Sequence, residues 1–218
     1  MFQVSLEMFR STRARTIALA DELSQEQLDF TVATGNWSAG EVLDHLLLAE
    51  KLNREQIAEL MELQKAGRNP VVRRSFSDLN VSVAYIPKSL LPLFELPFTL
   101  VNVFVPARIR EYMTRNRLIP AQSPDIATPK KGRVAAELRE DLARSFQETE
   151  NLLNANADLD YSTMSVQHPL MGTNDVPGLL GFMAAHEQRH QTQINNIMSC
   201  PQFPRPHWSG NGGPHVEL

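Results

Sequence analysis

Four stretches of this chain set apolar residues at steps of three and four, and that spacing restricts the fold more than any other feature of the sequence. An α-helix turns about 100° per residue, so such steps draw one apolar stripe along one face, and that face has to be covered. The first stretch runs from near Phe2 to Leu23, with Phe2, Leu6, Phe9, Ile17 and Ala20 on the stripe. The second begins at Ser38, where Ser-Ala-Gly-Glu makes a capping box: the Ser38 hydroxyl accepts from the Glu41 amide while the Glu41 carboxylate reaches back. It runs to about Lys65 and stops near Gly67. The third, from about Arg133 to Asn154, carries Val134, Leu138, Leu142 and Phe146 at four-residue steps. The fourth opens at Asn174-Asp175-Val176-Pro177, which suits a capping side chain and an early proline, and continues to about Ser199. No segment reads as a half-buried strand. The expected architecture is all-α, a four-helix bundle in a single domain over residues 1–200, followed by a Pro/Gly-rich tail over 201–218.

An insertion at about 66–128 separates the second and third helices, too long for a hairpin loop and long enough for a crossover with helical or irregular structure of its own. A crossover of that length opens an up-up-down-down helix order. Residues 89–106, SLLPLFELPFTLVNVFVP, form the most apolar part of the stretch 85–106 and approach the length of a membrane span. Pro92, Pro97 and Pro106, with the charge of Glu95, favour short broken helices packed on the bundle as a core extension, a lid or a dimer surface. The basic run at 107–117 reads as a solvated helix face. A net charge of −4 and an isoelectric point near 5.9 give no electrostatic reason to expect a nucleic-acid partner. The single cysteine, Cys200, forms no internal disulfide, and the N-terminus lacks the basic, apolar and small-residue order of a secretory signal. The expectation is a cytoplasmic protein with a small-molecule substrate, no nucleic acid and no membrane.

Chemistry concentrates in His186-Glu187-Gln188-Arg189-His190. Two histidines four positions apart lie about 40° apart around a helix and one turn apart along it, so both rings can meet one cation. The string also fits H-E-x-x-H, in which a zinc protease uses the glutamate to activate water. The longer metzincin pattern needs glycine at position 193 and histidine at position 196, where this chain has Gln193 and Asn196. A gluzincin needs an acidic ligand on a later helix, and the tail does not supply one. Leu179, Met183, His186, His190, Ile194 and Ile197 advance by three and four, which aims both imidazoles into the bundle. On the second helix Val42, His45, Ala49 and Leu52 do the same, so His45 points inward as well. Three neutral imidazoles on facing helices would leave one or more coordination positions open, the arrangement of a catalytic rather than a closed structural site.

Three elements then resemble a known family. Asn36-Trp37-Ser38-Ala39-Gly40-Glu41-Val42-Leu43-Asp44-His45-Leu46 is similar to the W-S-x-x-E-V-x-x-H-L element of the DinB-like superfamily. Gln167-His168-Pro169-Leu170-Met171-Gly172 resembles its H-P-x-x-G turn, and the run from His186 to Ile194 resembles its H-x-x-x-H-x-x-Q-I helix. The resemblance covers about residues 20–198. It implies an up-down-down-up four-helix bundle, often a homodimer, with nickel or zinc held by His45, His186 and His190. It also implies activities such as bacillithiol-using thiol S-transfer, mycothiol-dependent maleylpyruvate isomerisation, or metal-dependent hydrolysis. The long insertion departs from the short family pattern, and with it the substrate of any relative does not carry over.

Other residues have structural as well as functional readings. Glu187, about 100° around the helix from His186, is a weak candidate base and more simply a support for its neighbour or a surface charge. Gln193 orients a ligand or packs between helices. His168, before Pro169, belongs to extended backbone and stabilises a turn or approaches the site from a loop. Trp37 precedes the cap and staples the second helix. His207 and His215 lie in the tail without periodic context. Two functions stay open. One is a metal-dependent enzyme of thiol-transferase or hydrolase type, with a low-molecular-weight thiol as possible co-substrate. The other is a non-catalytic, metal-stabilised bundle for dimerisation or stress-related binding.

Overall fold

The computed structural model describes residues 1–74, 128–168 and 172–205. Among these are five helices, α1 (Phe2–Asp21), α2 (Gln25–Asp29), α3 (Ala39–Lys65), α4 (Ala135–Asn154) and α5 (Val176–Met198). Three short strands join them, β1 (Val71–Arg73), β2 (Ser165–His168) and β3 (Gly172–Asp175). The apolar run at 89–106 and the basic run at 107–117 lie outside the described residues. Among the described residues, no helix is long and apolar enough to cross a membrane.

Local chemistry sets the helix ends. Ser38 is extended at φ −75° and ψ 169°, its Oγ accepts from the Glu41 amide at 3.1 Å, and Glu41 Oε2 accepts from the Ser38 amide at 3.0 Å. Two orphan donors are thereby satisfied at the start of the helix that carries His45. At α5, Asp175 Oδ1 accepts from the Gly178 amide at 2.7 Å, and Pro177 sits in the first turn, where a missing N–H is harmless. The first helix ends at Asp21 rather than Leu23, because Ser24 and Gln27 form a second capping box that starts α2. This short helix lies close on α3: a Cβ on Gly40 would stand 3.1 Å from the Leu28 carbonyl oxygen.

Side-chain pairs fix the directions of the four long helices. Met8, Thr12 and Thr16 of α1 meet Gly181, Gln188 and Gln191 of α5 in ascending order, so these two run parallel. On α4, Phe146 and Arg139 meet Phe9 and Ala20 of α1 in descending order, which is antiparallel. Asp44, Glu50 and Arg54 of α3 meet Arg133, Ser145 and Glu148, so α3 runs parallel to α4. Val42 and Leu43 share a cluster with Ile194 and Ile197, while Ile57 and Leu60 share one with Leu179 and Leu180, which makes α3 antiparallel to α5. The order is therefore up-down-down-up, as the family resemblance implies. The long connection links two parallel neighbours, α3 and α4, and the chain reverses earlier, around α2. An up-up-down-down order is excluded because α1 and α3 run in opposite directions.

A three-stranded sheet closes one end of the bundle, an element absent from the sequence reading. β1 pairs parallel with β2, Val72 opposite Val166, and β2 pairs antiparallel with β3, Val166 opposite Asn174. Three- and four-residue strands are too short to display alternation, which is why periodicity missed them. Val72 and Val166 pack with Leu6, Phe9, Ile57, Leu60, Leu179 and Leu180 in one apolar cluster. A second cluster at the other end gathers Ala20, Leu28, Val42, Leu43, Leu142 and Ile194. Phe203, which the sequence places in the tail, is buried there against Phe30, their ring centroids 5.5 Å apart. Val134, read as part of the apolar stripe of α4, is instead its extended N-cap and is 52% exposed; the stripe begins at Leu138.

Replacing Ser38 with alanine should lower unfolding free energy by about 1 kcal/mol, the usual worth of a helix cap. Urea denaturation checks this, and a loss below a few tenths of that value would show that the box does not hold α3.

Candidate metal centre

Between the two apolar clusters lies a buried polar layer. Arg13, a residue the sequence reading did not select, projects from α1 with only 2% exposure. Its Nε donates to Glu187 Oε1 on α5 at 2.6 Å, and its Nη1 lies 2.8 Å from Glu50 Oε2 on α3 and donates to the Leu142 carbonyl on α4 at 3.0 Å. Glu50 also accepts from Ser145 Oγ at 2.8 Å and from Thr149 Oγ1 at 2.7 Å. Burial pushes the Glu187 carboxyl above its ordinary pKa; the Arg13 charge and hydrogen bond act against this, and Glu50 adds to it. With its Oε1 held by Arg13 and 1% exposure, Glu187 belongs to this charge network, and nothing in that geometry matches the water-activating glutamate of a zinc protease.

The three inward histidines converge beside this layer. His45 Nε2 and His186 Nε2 are 3.4 Å apart, and His186 Nε2 and His190 Nε2 are 3.2 Å apart. One ring nitrogen from each lies within 4.8 Å of those of the other two. Two nitrogens bound at about 2.0–2.1 Å to a tetrahedral ion stand about 3.3 Å apart, so these separations fit one cation shared by the three rings. His45 and His190 are buried and His186 is half-buried.

Neighbouring groups set ring orientation and charge. His190 Nδ1 lies 2.9 Å from Gln193 Oε1, and with that oxygen accepting, Nδ1 carries the proton and Nε2 is the unprotonated nitrogen, which accepts from Arg189 Nη2 at 2.6 Å. Gln193 is thus placed to orient the His190 ring. Desolvation, followed by the charges of His190, His45 and Arg189, holds the His186 imidazole well below its ordinary pKa, which keeps it neutral at pH 7. The Trp37 ring lies 5.0 Å from that of His45, and Phe182 stacks on His186 at 5.8 Å and 21°. Trp37 therefore covers a candidate ligand in addition to preceding the cap. A half-open cleft of about 10 Å³, room for about one water molecule, runs from His186 past Phe182 to Arg13, Glu50 and Glu187. Arg54 Nη1 also lies 3.9 Å from Glu50 Oε1, so the layer sets two guanidiniums against the carboxylates of Glu50 and Glu187.

Among the described residues, the histidine cluster consists of His45, His186 and His190. His168 ends β2, its backbone paired with Gly172 in the sheet at the far end of the bundle from the start of α3. His207 and His215 lie outside the described residues.

A family model of the DinB superfamily matches residues 8–194, and the chain belongs to that superfamily. No curated protein and no solved structure matches it.

Two measurements follow from this geometry. Arg13→Met alone leaves two buried carboxylates facing each other and should destabilise the fold by about 3–5 kcal/mol, whereas adding Glu50→Gln and Glu187→Gln should restore most of the loss. In a Trp208→Phe background, copper(II) should quench Trp37 fluorescence, and His45→Ala should abolish the quench; unchanged quenching in that variant would place the ion elsewhere.

Proposed function

We propose that this member of the DinB superfamily is a metal-dependent enzyme that holds one divalent ion on His45, His186 and His190 and acts on a small molecule by thiol transfer or hydrolysis. The observation that carries this reading is the convergence of three imidazole nitrogens, one of them from His186, which also lines a half-open cleft. When bound, a divalent ion lowers the pKa of a thiol or water ligand so that a nucleophile exists at neutral pH. Nickel and zinc both suit three imidazole donors, and a low-molecular-weight thiol is the natural co-substrate for the transferase form.

The chain's own residues supply position and exclusion. Gln193 fixes the proton on His190 Nδ1 and so directs Nε2 toward the other rings. Trp37 and Phe182 flank His45 and His186 and limit water access to their faces. The Arg13 network ties α1, α3, α4 and α5 at the level of the pocket, so the helices bearing the histidines cannot shift independently. Leu46, Phe9 and Met183 form the apolar side of the cleft. Three protein ligands leave coordination open for a reacting group, which favours catalysis over a purely structural ion. We also expect the homodimer common in the superfamily.

The test is elemental analysis of protein purified without a His tag, alongside His45→Ala, His186→Ala and His190→Ala, followed by a screen of electrophiles with several thiols and of esters without thiol. About one ion per chain is expected in the wild type, with each variant losing both metal and turnover. Equal metal content in wild type and His45→Ala would remove the three-histidine site. Metal that alters only the melting temperature, with no thiol or ester consumed, would make the bundle a non-catalytic one.

A further inference from the structure

His186 has two ring nitrogens, and the histidine cluster engages one of them. Its Nε2 lies 3.4 Å from His45 Nε2 and 3.2 Å from His190 Nε2. A neutral imidazole carries a single N–H, so a ring that offers Nε2 as a lone pair holds its proton on Nδ1. That N–H needs an acceptor, which fixes both the tautomer and the orientation of a ligand ring. For His190 the acceptor is Gln193 Oε1, three residues further along α5. The corresponding place beyond His186 is held by Arg189, whose side chain has no acceptor atom.

An acceptor of another kind is close by. Glu187 is 1% exposed, and its Oε1 accepts from Arg13 Nε at 2.6 Å. Its Oε2 is buried and accepts no hydrogen bond among the described residues, a costly arrangement for a carboxylate oxygen. Thr16 lowers the pKa of this carboxyl, but the Thr16 hydroxyl is directed to the Thr12 carbonyl at 3.4 Å and accepts from Gln191 Nε2 at 2.9 Å. His186 and Glu187 both line the half-open cleft of about 10 Å³, together with Arg13, Glu50 and Asn53. That volume suits about one water, and a buried water needs two to four polar partners. Such a water can accept from His186 Nδ1 and donate to Glu187 Oε2. Arg13, with five N–H groups against the three acceptors that hold it, supplies a further donor at the same wall.

We propose that the cleft is a binding site for a single ordered water that links His186 Nδ1 to Glu187 Oε2. Glu187 is then a positioning residue for His186 and acts through the water, as Gln193 acts directly on His190. The water site stands on the cleft and its polar lining, whereas its effect on metal affinity rests on the metal-dependent reading above.

A high-resolution crystal structure of the protein should show one water within hydrogen-bond distance of both His186 Nδ1 and Glu187 Oε2. In solution, nitrogen-edited NMR spectra of zinc-loaded protein should show the His186 Nδ1 proton with a cross-relaxation peak to water. Ala49→Val, which adds apolar bulk to the cleft wall, should lose that water and that peak and leave the His190 Nδ1 signal in place. Glu187→Gln keeps one oxygen for Arg13 and replaces the other with a donor; it should bind cobalt(II) about tenfold to a hundredfold more weakly, with helix content unchanged by circular dichroism. A cleft without water in the crystal, a Thr16 hydroxyl turned onto Glu187 Oε2, or equal cobalt affinity in wild type and Glu187→Gln overturns the proposal. If wild-type protein binds no more cobalt than His45→Ala, the metal reading falls by itself, and the crystallographic water still decides the water site.

Discussion

Arg13 touches each of the other three long helices from its place on α1. Its two nitrogens reach Glu187 on α5, Glu50 on α3 and the Leu142 carbonyl on α4. A buried guanidinium is tolerable only when its donors are met, and each partner here comes from a different helix, so the level at which they meet is fixed for all four. Apolar clusters alone would leave the helices free to slide by a turn at modest cost, since one leucine can replace another in a groove. The charged layer removes that freedom. It also sets the height at which His45 faces His186 and His190, because Glu50 lies just over a turn from His45 on α3, and Glu187 is adjacent to His186 on α5.

The long helices and the three histidines were legible because both depend on one face of one helix. Apolar steps of three and four locate the faces, and the Ser38 capping box marks the start of α3 at the residue where it begins. The up-down-down-up order required the family resemblance, since loop length by itself admits another path. Arg13 was readable in principle: Phe9, Arg13 and Ile17 are spaced by four, so the arginine fills a gap in the middle of an apolar stripe. Glu50 fills a similar gap between Leu46 and Asn53, and Ser145 and Thr149 continue the stripe of Leu138 and Leu142. A charged residue at the center of a buried face, repeated at one level on several helices, is the signature of a polar layer, and hydrophobic periodicity is blind to it by construction. The sheet was illegible for a different reason. Its strands hold three or four residues each; β2 and β3 lie in one connection, but β1 comes from the connection after α3, so no local window contains the β1–β2 pairing.

Glu187 shows how a motif changes meaning with its surroundings. In a zinc protease the glutamate of H-E-x-x-H faces the metal-bound water. Here the same position turns about 100° from His186 toward α1 and meets a guanidinium in place of solvent. Around the same helix, Gln193 serves His190 and Arg189 folds onto it. The polar groups of α5 are therefore divided by direction, with the Glu187–Arg13 ion pair on one side and the partners of His190 on another.

The crossover between α3 and α4 returns at a guarded point. The Lys130 amide donates to Asp44 Oδ2 at 2.8 Å, and Arg133 Nη1 donates to Asp44 Oδ1 at 2.7 Å. Asp44 is the residue before His45, so the landing of the long connection is fastened to the turn of helix that presents a candidate ligand. Whatever this connection carries, the anchorage at Asp44 ties its return to the helical turn that bears His45, so the fold couples the end of the longest connection to the placement of one ring.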